Sequence, residues 1–523
     1  MPTSQRRAYH SLSMRYGFVI DQDRCIGCHA CTVACKEEHQ VPVGVFRTWV
    51  KYIEKGEFPH TRRHFGVLRC NHCDNAPCIE ICPTRALYRR PDGIVDFDSR
   101  RCIGCKSCMQ ACPYDALYID PNTLTAAKCN FCAHRIEARL EPACVIVCPT
   151  RAIIAGDLDD PSSSVSRIVA EEKVAVRKPQ KGTEPKLFYV GIEGDLLEPT
   201  RLSHQVGYFG AERRDGTSQT TGDAAKFDST ATRVVYDTAH PAPWGWKIGA
   251  YLWTKSVAAG VLVVAAIMLA WSGDGVRGTG AFLGVASPVV ALVALGVTSS
   301  LLIFDLKRPE RFFYLLTKPN PRSWLVIGAW ILMVYGVLAL AWLAIGFFVG
   351  VIPGGLACAA AVFGVATACY SAFLFAQAKG RDLWQSPLFF WHLLVHTFTA
   401  GSATLLVVGI AMGGPEETIR HAALILLVSV SVGLTMMLTE TALPAVSVDA
   451  AFAHRAMARG HLSRRFWTLA VGAGSLTPII LAALFVESIA MAAVGIVAAL
   501  LALAGLWWFQ QLWVEAGQSA PLS

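Results

Sequence analysis

Residues 24–36 read RCIGCHACTVACK and residues 101–113 read RCIGCKSCMQACP, so four cysteines fall within eleven residues twice over. The four complete groups are Cys25, Cys28, Cys31 and Cys35; Cys70, Cys73, Cys78 and Cys82; Cys102, Cys105, Cys108 and Cys112; and Cys129, Cys132, Cys144 and Cys148. The last three groups each end in Cys-Pro. Zinc competes for any C-x2-C pair, but it uses two pairs for one ion, and a third cysteine two residues on is surplus there. A four-iron cube needs three closely spaced thiolates on a loop and a fourth from further along the chain. The expected cofactors are therefore four 4Fe-4S clusters. With four thiolates on each cube no iron is open to substrate, so the expected chemistry is electron transfer. In two-cluster modules the last cysteine of a run ligates the neighbouring cube. Read in plain sequence order, that rule joins group one with group two and group three with group four.

Sixteen of the 18 cysteines lie between Cys25 and Cys148. A disulfide framework belongs to short secreted chains behind an export signal. The opening MPTSQRRAYHSLSMRYGF has no apolar export segment, and Arg6-Arg7 reads as a solvated pair. The formal charge of +8 raises nucleic acid as a partner, but no aromatic-interleaved basic patch accompanies it. Four clusters of about −2 each would largely cancel that excess. No nucleic-acid partner is expected.

The elements that must hold these cysteines are small. Residues 88–97 carry a Pro-Asp-Gly turn and residues 117–124 a Pro-Asn turn between short β signals. Short hairpins and short helices around cubes predict an α+β ferredoxin-like domain over 1–156, with ligation supplying much of its folding energy. Residues 157–245 read as extension and linker: DDPSSSVS and TSQTTGDAAKFDSTAT are linker-like, and LFYVGIEGDLLEPT offers an edge strand.

From 246 to 523 the character changes. Hydrophobic residues make up 53% of the chain and charged ones 16%, and the apolar runs are concentrated here. Runs long enough to span a bilayer cover roughly 249–271, 281–304, 323–349, 354–376, 387–411, 419–440, 466–486 and 488–509. They predict an all-α bundle of eight transmembrane helices. The glycines of 273–280 sit between two such runs and read as an interhelical turn rather than a phosphate loop. Basic residues crowd one side: Lys307, Arg308, Arg311, Lys318, Arg322, Lys379, Arg381, Arg455, Arg459, Arg464 and Arg465, against Arg277 and Arg420 opposite. The positive-inside rule then puts the cysteine-rich domain in the cytoplasm, unless some of those arginines serve to dock it.

Ionisable residues within the membrane are costly and ask for a reason. Lys255, Asp305, His392, His396 and Glu440 all fall toward the side of the cysteine-rich domain. Singly they fit snorkelling, an interhelical hydrogen bond or pairs with arginine. Together, at one depth, they favour a quinone head-group site with proton donors. His392 and His396 share one helix and no facing helix offers a third histidine at that level, so no haem is expected.

Residues 17–156, including KCNFCAHRIEARLEPACVIVCPTRAIIAGDL, resemble the four-cluster electron-transfer subunits of molybdopterin oxidoreductases such as polysulfide and dimethyl-sulfoxide reductases. LLIFDLKRPERFFYLLTKPNPRSW and the eight helices resemble the NrfD/polysulfide-reductase membrane subunit, a quinone-reactive anchor without haem. Usually two polypeptides, these are fused here. The resemblance implies a different wiring from sequence order. One cluster takes Cys25, Cys28, Cys31 and Cys148, and its neighbour takes Cys35, Cys129, Cys132 and Cys144. A third takes Cys70, Cys73, Cys78 and Cys112, and the fourth takes Cys82, Cys102, Cys105 and Cys108. It also implies a bacterial inner-membrane complex with a catalytic molybdenum or tungsten pterin subunit, exchanging electrons with menaquinone or ubiquinone among membrane lipid. Substrate chemistry then lies in that partner. A nickel–iron hydrogenase partner is the close alternative; a redox-driven ion translocator and a redox sensor are the more distant ones.

Overall fold

The computed structural model describes residues 14–57, 59–204, 232–271, 281–489 and 491–523. Arg6-Arg7, most of the linker stretch 217–232 and the 273–280 turn with Arg277 lie outside these described residues.

The strands of the cysteine-rich domain are, in chain order, β1 (Tyr16–Asp21), β2 (Thr48–Lys55), β3 (Arg62–Arg69), β4 (Leu87–Arg89), β5 (Val95–Phe97), β6 (Leu117–Ile119), β7 (Ala126–Lys128), β8 (Ile153–Asp157), β9 (Leu187–Val190), β10 (Ser203–His204) and β11 (Arg233–Tyr236). β1 is central in a three-stranded sheet, antiparallel to β8 and parallel to β9. Its unbroken Phe18-Val19-Ile20 run suits burial on both faces. A second sheet runs β10-β11-β2-β3. The β4–β5 hairpin turns at Pro91-Asp92-Gly93, where Gly93 has a φ of 76°. In the β6–β7 hairpin the Asp120 carboxylate accepts the Asn122 and Thr123 amides at 2.8 and 3.1 Å, an Asx-type turn.

The extension is woven into this domain, since β9 and β11 both pair with strands from its first 55 residues. DDPSSSVS is linker-like by composition, yet it leads into a helix, Ser164–Glu171. Val165, with Ile168 and Val169, supplies an apolar stripe, and Val165 is fully buried near Gly156 of β8. Three apolar residues outweigh the turn-forming preference of the serines.

Among the described residues eight helices are long and apolar enough to cross a membrane: Trp246–Trp271, Phe282–Asp305, Trp324–Phe348, Gly354–Ala376, Leu388–Ala411, Glu416–Ala442, Ser463–Glu487 and Ala492–Gly517. The first is the hub, 89% buried over its most apolar window and packed by the second, fourth, fifth and eighth. Small residues set the close crossings, as expected where lipid offers no hydrophobic drive. A Cβ on Gly401 would overlap the Gly260 carbonyl, and one on Gly474 would overlap the backbone of Gly505.

The eighth helix continues past residue 509, where the apolar run ends. Its extra turns carry Gln510 and Trp513, and its C-cap, Gln518, enters a polar junction beneath the cysteine-rich domain. There Arg381 Nη1 donates to the Gln518 and Ala520 carbonyls at 3.3 and 2.9 Å, while Lys51 Nζ donates to Ser523 O at 2.8 Å. The chain thus returns to the side from which it entered. One apolar core runs from Cys70, Cys78, Cys82, Cys108 and Cys112 into the bundle. Cys31 and Cys144 belong to a separate core around β1.

Candidate functional site

The two RCIGC loops owe their curl to glycine. Gly27 and Gly104 have φ of 71° and 69°, a region that costs other residues energy, and His29 and Lys106 follow at 60° and 63°. A Cβ at Gly27 would stand 2.5 Å from the Phe65 ring, and one at Gly104 would stand 2.6 Å from Lys307 Cβ. The three Cys-Pro ends repeat another turn. Arg85, Asp115 and Arg151, each three residues after the cysteine, have φ of 54°, 54° and 53°. That turn aims an amide back at the sulfur: Ala86 N donates to Cys82 Sγ and Ala152 N to Cys148 Sγ, both at 3.2 Å. The Gly104 and Ala126 amides donate to Cys102 Sγ, each at 3.4 Å.

Folding gathers the cysteines into four sets. Cys25 has Cys28 and Cys148 as neighbouring thiols, and Cys31 has Cys25. Cys35 and Cys132 both neighbour Cys129 and Cys144. Cys78 neighbours Cys70, Cys73 and Cys112. Cys108 neighbours Cys82, Cys102 and Cys105, and these four line one cavity. The sets follow one another in a line, because Cys31 also neighbours Cys144, Cys70 neighbours Cys129, and Cys108 neighbours Cys78. Cys28, in the first set, is exposed.

Burial pushes the Cys31 thiol up to about 11 and those of Cys105 and Cys112 to about 12. These thiols are protonated on their own, so metal ligation must expel their protons. Among the described residues no three His, Cys, Asp or Glu side chains converge closely enough for a single ion. Four thiols spread around a shared space, with amides donating to sulfur, fit the wider 4Fe-4S cube.

The fourth set rests on the membrane bundle. Lys106 Nζ pairs with Asp305 at 2.8 Å. Arg308 Nε donates to Thr123 O at 2.8 Å, and Arg311 Nη1 to Ser99 O and Cys102 O at 2.8 and 2.9 Å. Asn320 Nδ2 donates to Cys82 O at 2.8 Å. Part of the basic crowding on this side is therefore docking.

The five ionisable residues separate into three places. Asp305 belongs to the docking seam, through Lys106. Lys255 is buried rather than snorkelling, donating to Ala368 O at 2.9 Å and Ser371 Oγ at 2.5 Å beneath the rings of Tyr251 and Tyr370. His392, His396 and Glu440 stay together. His392 Nε2 lies 3.0 Å from Glu440 Oε2, Ser386 Oγ donates to Glu440 Oε1 at 3.0 Å, and Gln510 Nε2 reaches Ser256 Oγ at 3.2 Å and His396 Nδ1 at 3.4 Å. Among the described residues His392 Nδ1 and His396 Nε2 have no partner, and Phe509 lies 5.3 Å from both imidazoles. Open ring nitrogens beside an aromatic plane suit a flat carbonyl ligand.

Aromatic rings join that group to the fourth set. Trp244 Nε1 donates to Cys105 O at 3.4 Å, and its ring stacks on Trp384 at 5.3 Å. Phe375 lies 4.8 Å from Trp384 and 5.2 Å from Phe389; Phe389 stacks on Trp513 at 5.4 Å, and Trp513 is 5.8 Å from His392. Gln510 and Trp513 escaped the sequence reading because it ended the last helix at 509. The pair Gln510-Gln511 inside an otherwise apolar stretch was the available signal.

Comparison with known proteins agrees with this division. Residues 16–37 match a 4Fe-4S binding domain, residues 62–158 a 4Fe-4S dicluster domain, and residues 234–521, more than half of the chain, the family described as polysulphide reductase, NrfD. A tetrathionate reductase subunit of Salmonella typhimurium is 46% identical over 202 residues, covering 38% of this chain and 81% of that protein. A polysulfide reductase component of Wolinella succinogenes is 42% identical over 184 residues, 34% of this chain and 95% of its own. The thiosulfate reductase electron transfer subunit PhsB of Salmonella typhi is 46% identical over 166 residues, 31% of this chain and 85% of its own. The protein belongs to the polysulphide reductase NrfD family, as a multi-pass membrane protein with 4Fe-4S domains fused ahead of its helices.

Proposed function

We propose that this chain carries electrons between membrane quinol and a catalytic partner subunit through four 4Fe-4S clusters. The observation that carries the reading is the line of four cysteine sets, running from exposed Cys28 to the set whose Cys105 carbonyl meets Trp244, one aromatic column away from His392. When bound, the clusters supply one-electron transfer. The chain's own residues do the rest: amides hold the sulfurs, and Lys106, Arg311 and Asn320 seat the fourth set on the membrane bundle. His392, His396 and Glu440 bind the quinone head group and exchange its protons. Asp305 serves the docking seam with Lys106, and Lys255 stands apart on Ala368 and Ser371, so neither is assigned to the head-group site.

Ile26, two residues before Cys28, and Ile146 and Val147, just before Cys148 of the same set, are exposed by 58%, 56% and 40%. This is where the partner docks. The relatives' names, each that of a component of a sulfur-compound reductase, support such a reductase over a nickel–iron hydrogenase as the partner; a molybdenum or tungsten pterin is the catalytic centre we assign to it. The names also support electron flow from quinol outward. The remaining basic residues on the docking side, among them Lys318, Arg322, Lys379, Arg455, Arg459 and Arg464, favour the cytoplasmic face of a bacterial inner membrane. A protease site inserted at 443–447 should then be cut only in inverted vesicles.

The purified protein should hold about sixteen iron and sixteen sulfide per chain. His392→Ala and Glu440→Gln should slow quinol oxidation at least tenfold while dye-linked reduction of the clusters is unchanged. Stoichiometric zinc would remove the first part of the reading. Normal quinol oxidation in both variants would remove the second.

A further inference from the structure

Arg69, the last residue of β3, is fully buried, and among the described residues no ion pair reaches it. Its Nη1 donates to Cys144 Sγ at 3.1 Å, its guanidinium lies 4.6 Å over the Phe18 ring, and its Nε and Nη2 have no partner among the described residues. Around it stand Cys31 of the first set and Cys129 and Cys144 of the second. Lys128, the last residue of β7, is also fully buried. Its Nζ donates to the carbonyls of Val95 and Cys129, the latter at 2.8 Å, and it lies against Cys70 and Cys78 of the third set. No carboxylate pairs with it among the described residues.

The placement is crossed. Arg69 precedes a cysteine of the third set yet sits at the joint of the first and second. Lys128 precedes a cysteine of the second set yet sits against the third. A buried cation without an anion is strongly destabilising. Two such cations, both between cysteine sets, need negative charge from the sets themselves.

We propose that Arg69 and Lys128 are positioning residues for electron transfer, fixed positive charges at the first and second of the three joints in the line that set the reduction potentials of the clusters beside them. This rests on the four-cluster reading above. When one electron moves between neighbouring sets, one cluster is oxidised by one electron and the next reduced by one, with no bond or proton changing place. The receiving site gains one negative charge. A fixed cation alongside stabilises that added charge, and in a dry interior water does not screen it. Arg69 serves both of its neighbours and also weakens the repulsion between them when both are reduced. Its free Nε–H and Nη2–H remain available to cluster sulfur, as charge-assisted donors.

The test is an EPR-monitored redox titration of the full-length, detergent-purified protein carrying Arg69→Met, Arg69→Lys, Lys128→Met or Lys128→Arg, with iron and sulfide counted in each. The four-cluster reading is checked separately by the iron count and signals of the unsubstituted protein. With full iron in Arg69→Met, at least one midpoint potential should shift downward, and Arg69→Lys should return it most of the way. Lys128→Met should shift a different signal downward, restored by Lys128→Arg. Unchanged potentials in filled Met variants would overturn the proposal. If the Met variants take up no iron, normal filling and near-normal potentials in the charge-retaining variants support it, because charge is then what the sites require. Loss of iron in Met and charge-retaining variants alike overturns it, since shape and packing would be the requirement.

Discussion

The cysteine-rich domain and the membrane bundle are held together by different means. In the first, strands run three to eight residues for the most part, and left-handed backbone recurs at Gly27, His29, Gly104, Lys106, Arg85, Asp115 and Arg151. Its inner sulfurs are buried thiols, and Arg69 stands among them with no carboxylate partner among the described residues. Such a domain is organised around something it must bind. In the bundle, helices of 23 to 27 residues pack through glycines at Gly260–Gly401, Gly284–Gly346 and Gly474–Gly505. It needs no guest. One polypeptide therefore joins a region whose fold follows its cofactors to a region whose fold follows small-residue packing.

The largest break in that contrast is iron itself. Protein made without iron should lose the cysteine-rich domain, since structural metal sites contribute on the order of 10 kcal/mol each. The eight helices should survive. Limited proteolysis should cut the first 245 residues and spare the rest; equal resistance with and without iron would show that the first domain folds by packing alone.

Next comes the seam between the regions. Asp305 ends the second membrane helix, where its charge opposes the helix dipole, so Lys106 is what makes it favourable there. Asp305→Asn leaves Lys106 largely buried without its anion, a loss of about 3 kcal/mol. Quinol oxidation should fall while iron content and dye reduction hold, and unaltered quinol oxidation would mean that Arg311 and Asn320 suffice.

The bundle has its own weak point. Gly474→Leu forces the seventh and eighth helices apart at a cost of about 2 kcal/mol or more. Thermal unfolding in detergent should begin several degrees earlier, with cluster signals intact until the bundle melts.

The smallest effect concerns pH. Burial alone would lower the His240 pKa, but its hydrogen bonds to the accepting carboxylates of Asp115 and Asp237 outweigh it and raise the imidazole from 6.5 to about 9. His240 also meets Ser523 Oγ at 3.4 Å, so this charge helps fasten the C-terminal tail. A raised folded pKa gives stability that is complete below pH 6.5 and is lost as pH rises through about 9. The melting temperature should drop slightly across that window, and His240→Gln should flatten the drop.

Much of this was legible in the residues. Cys25-x2-Cys28-x2-Cys31 and its three companions state their chemistry through spacing, because a thiolate triad on a tight loop depends only on nearby chain. The eight spans were readable because helix length and apolarity are local quantities set by bilayer thickness. The two hairpins were readable from Pro-Asp-Gly and Pro-Asn. What required the fold were relations between distant residues. That Arg69 stands among Cys31, Cys129 and Cys144, that Asp305 meets Lys106, and that Lys255 parts company with His392 all depend on how segments up to hundreds of residues apart are packed. Local pattern determines which groups a chain carries, whereas three-dimensional packing decides which of them share a dielectric, a partner and a path.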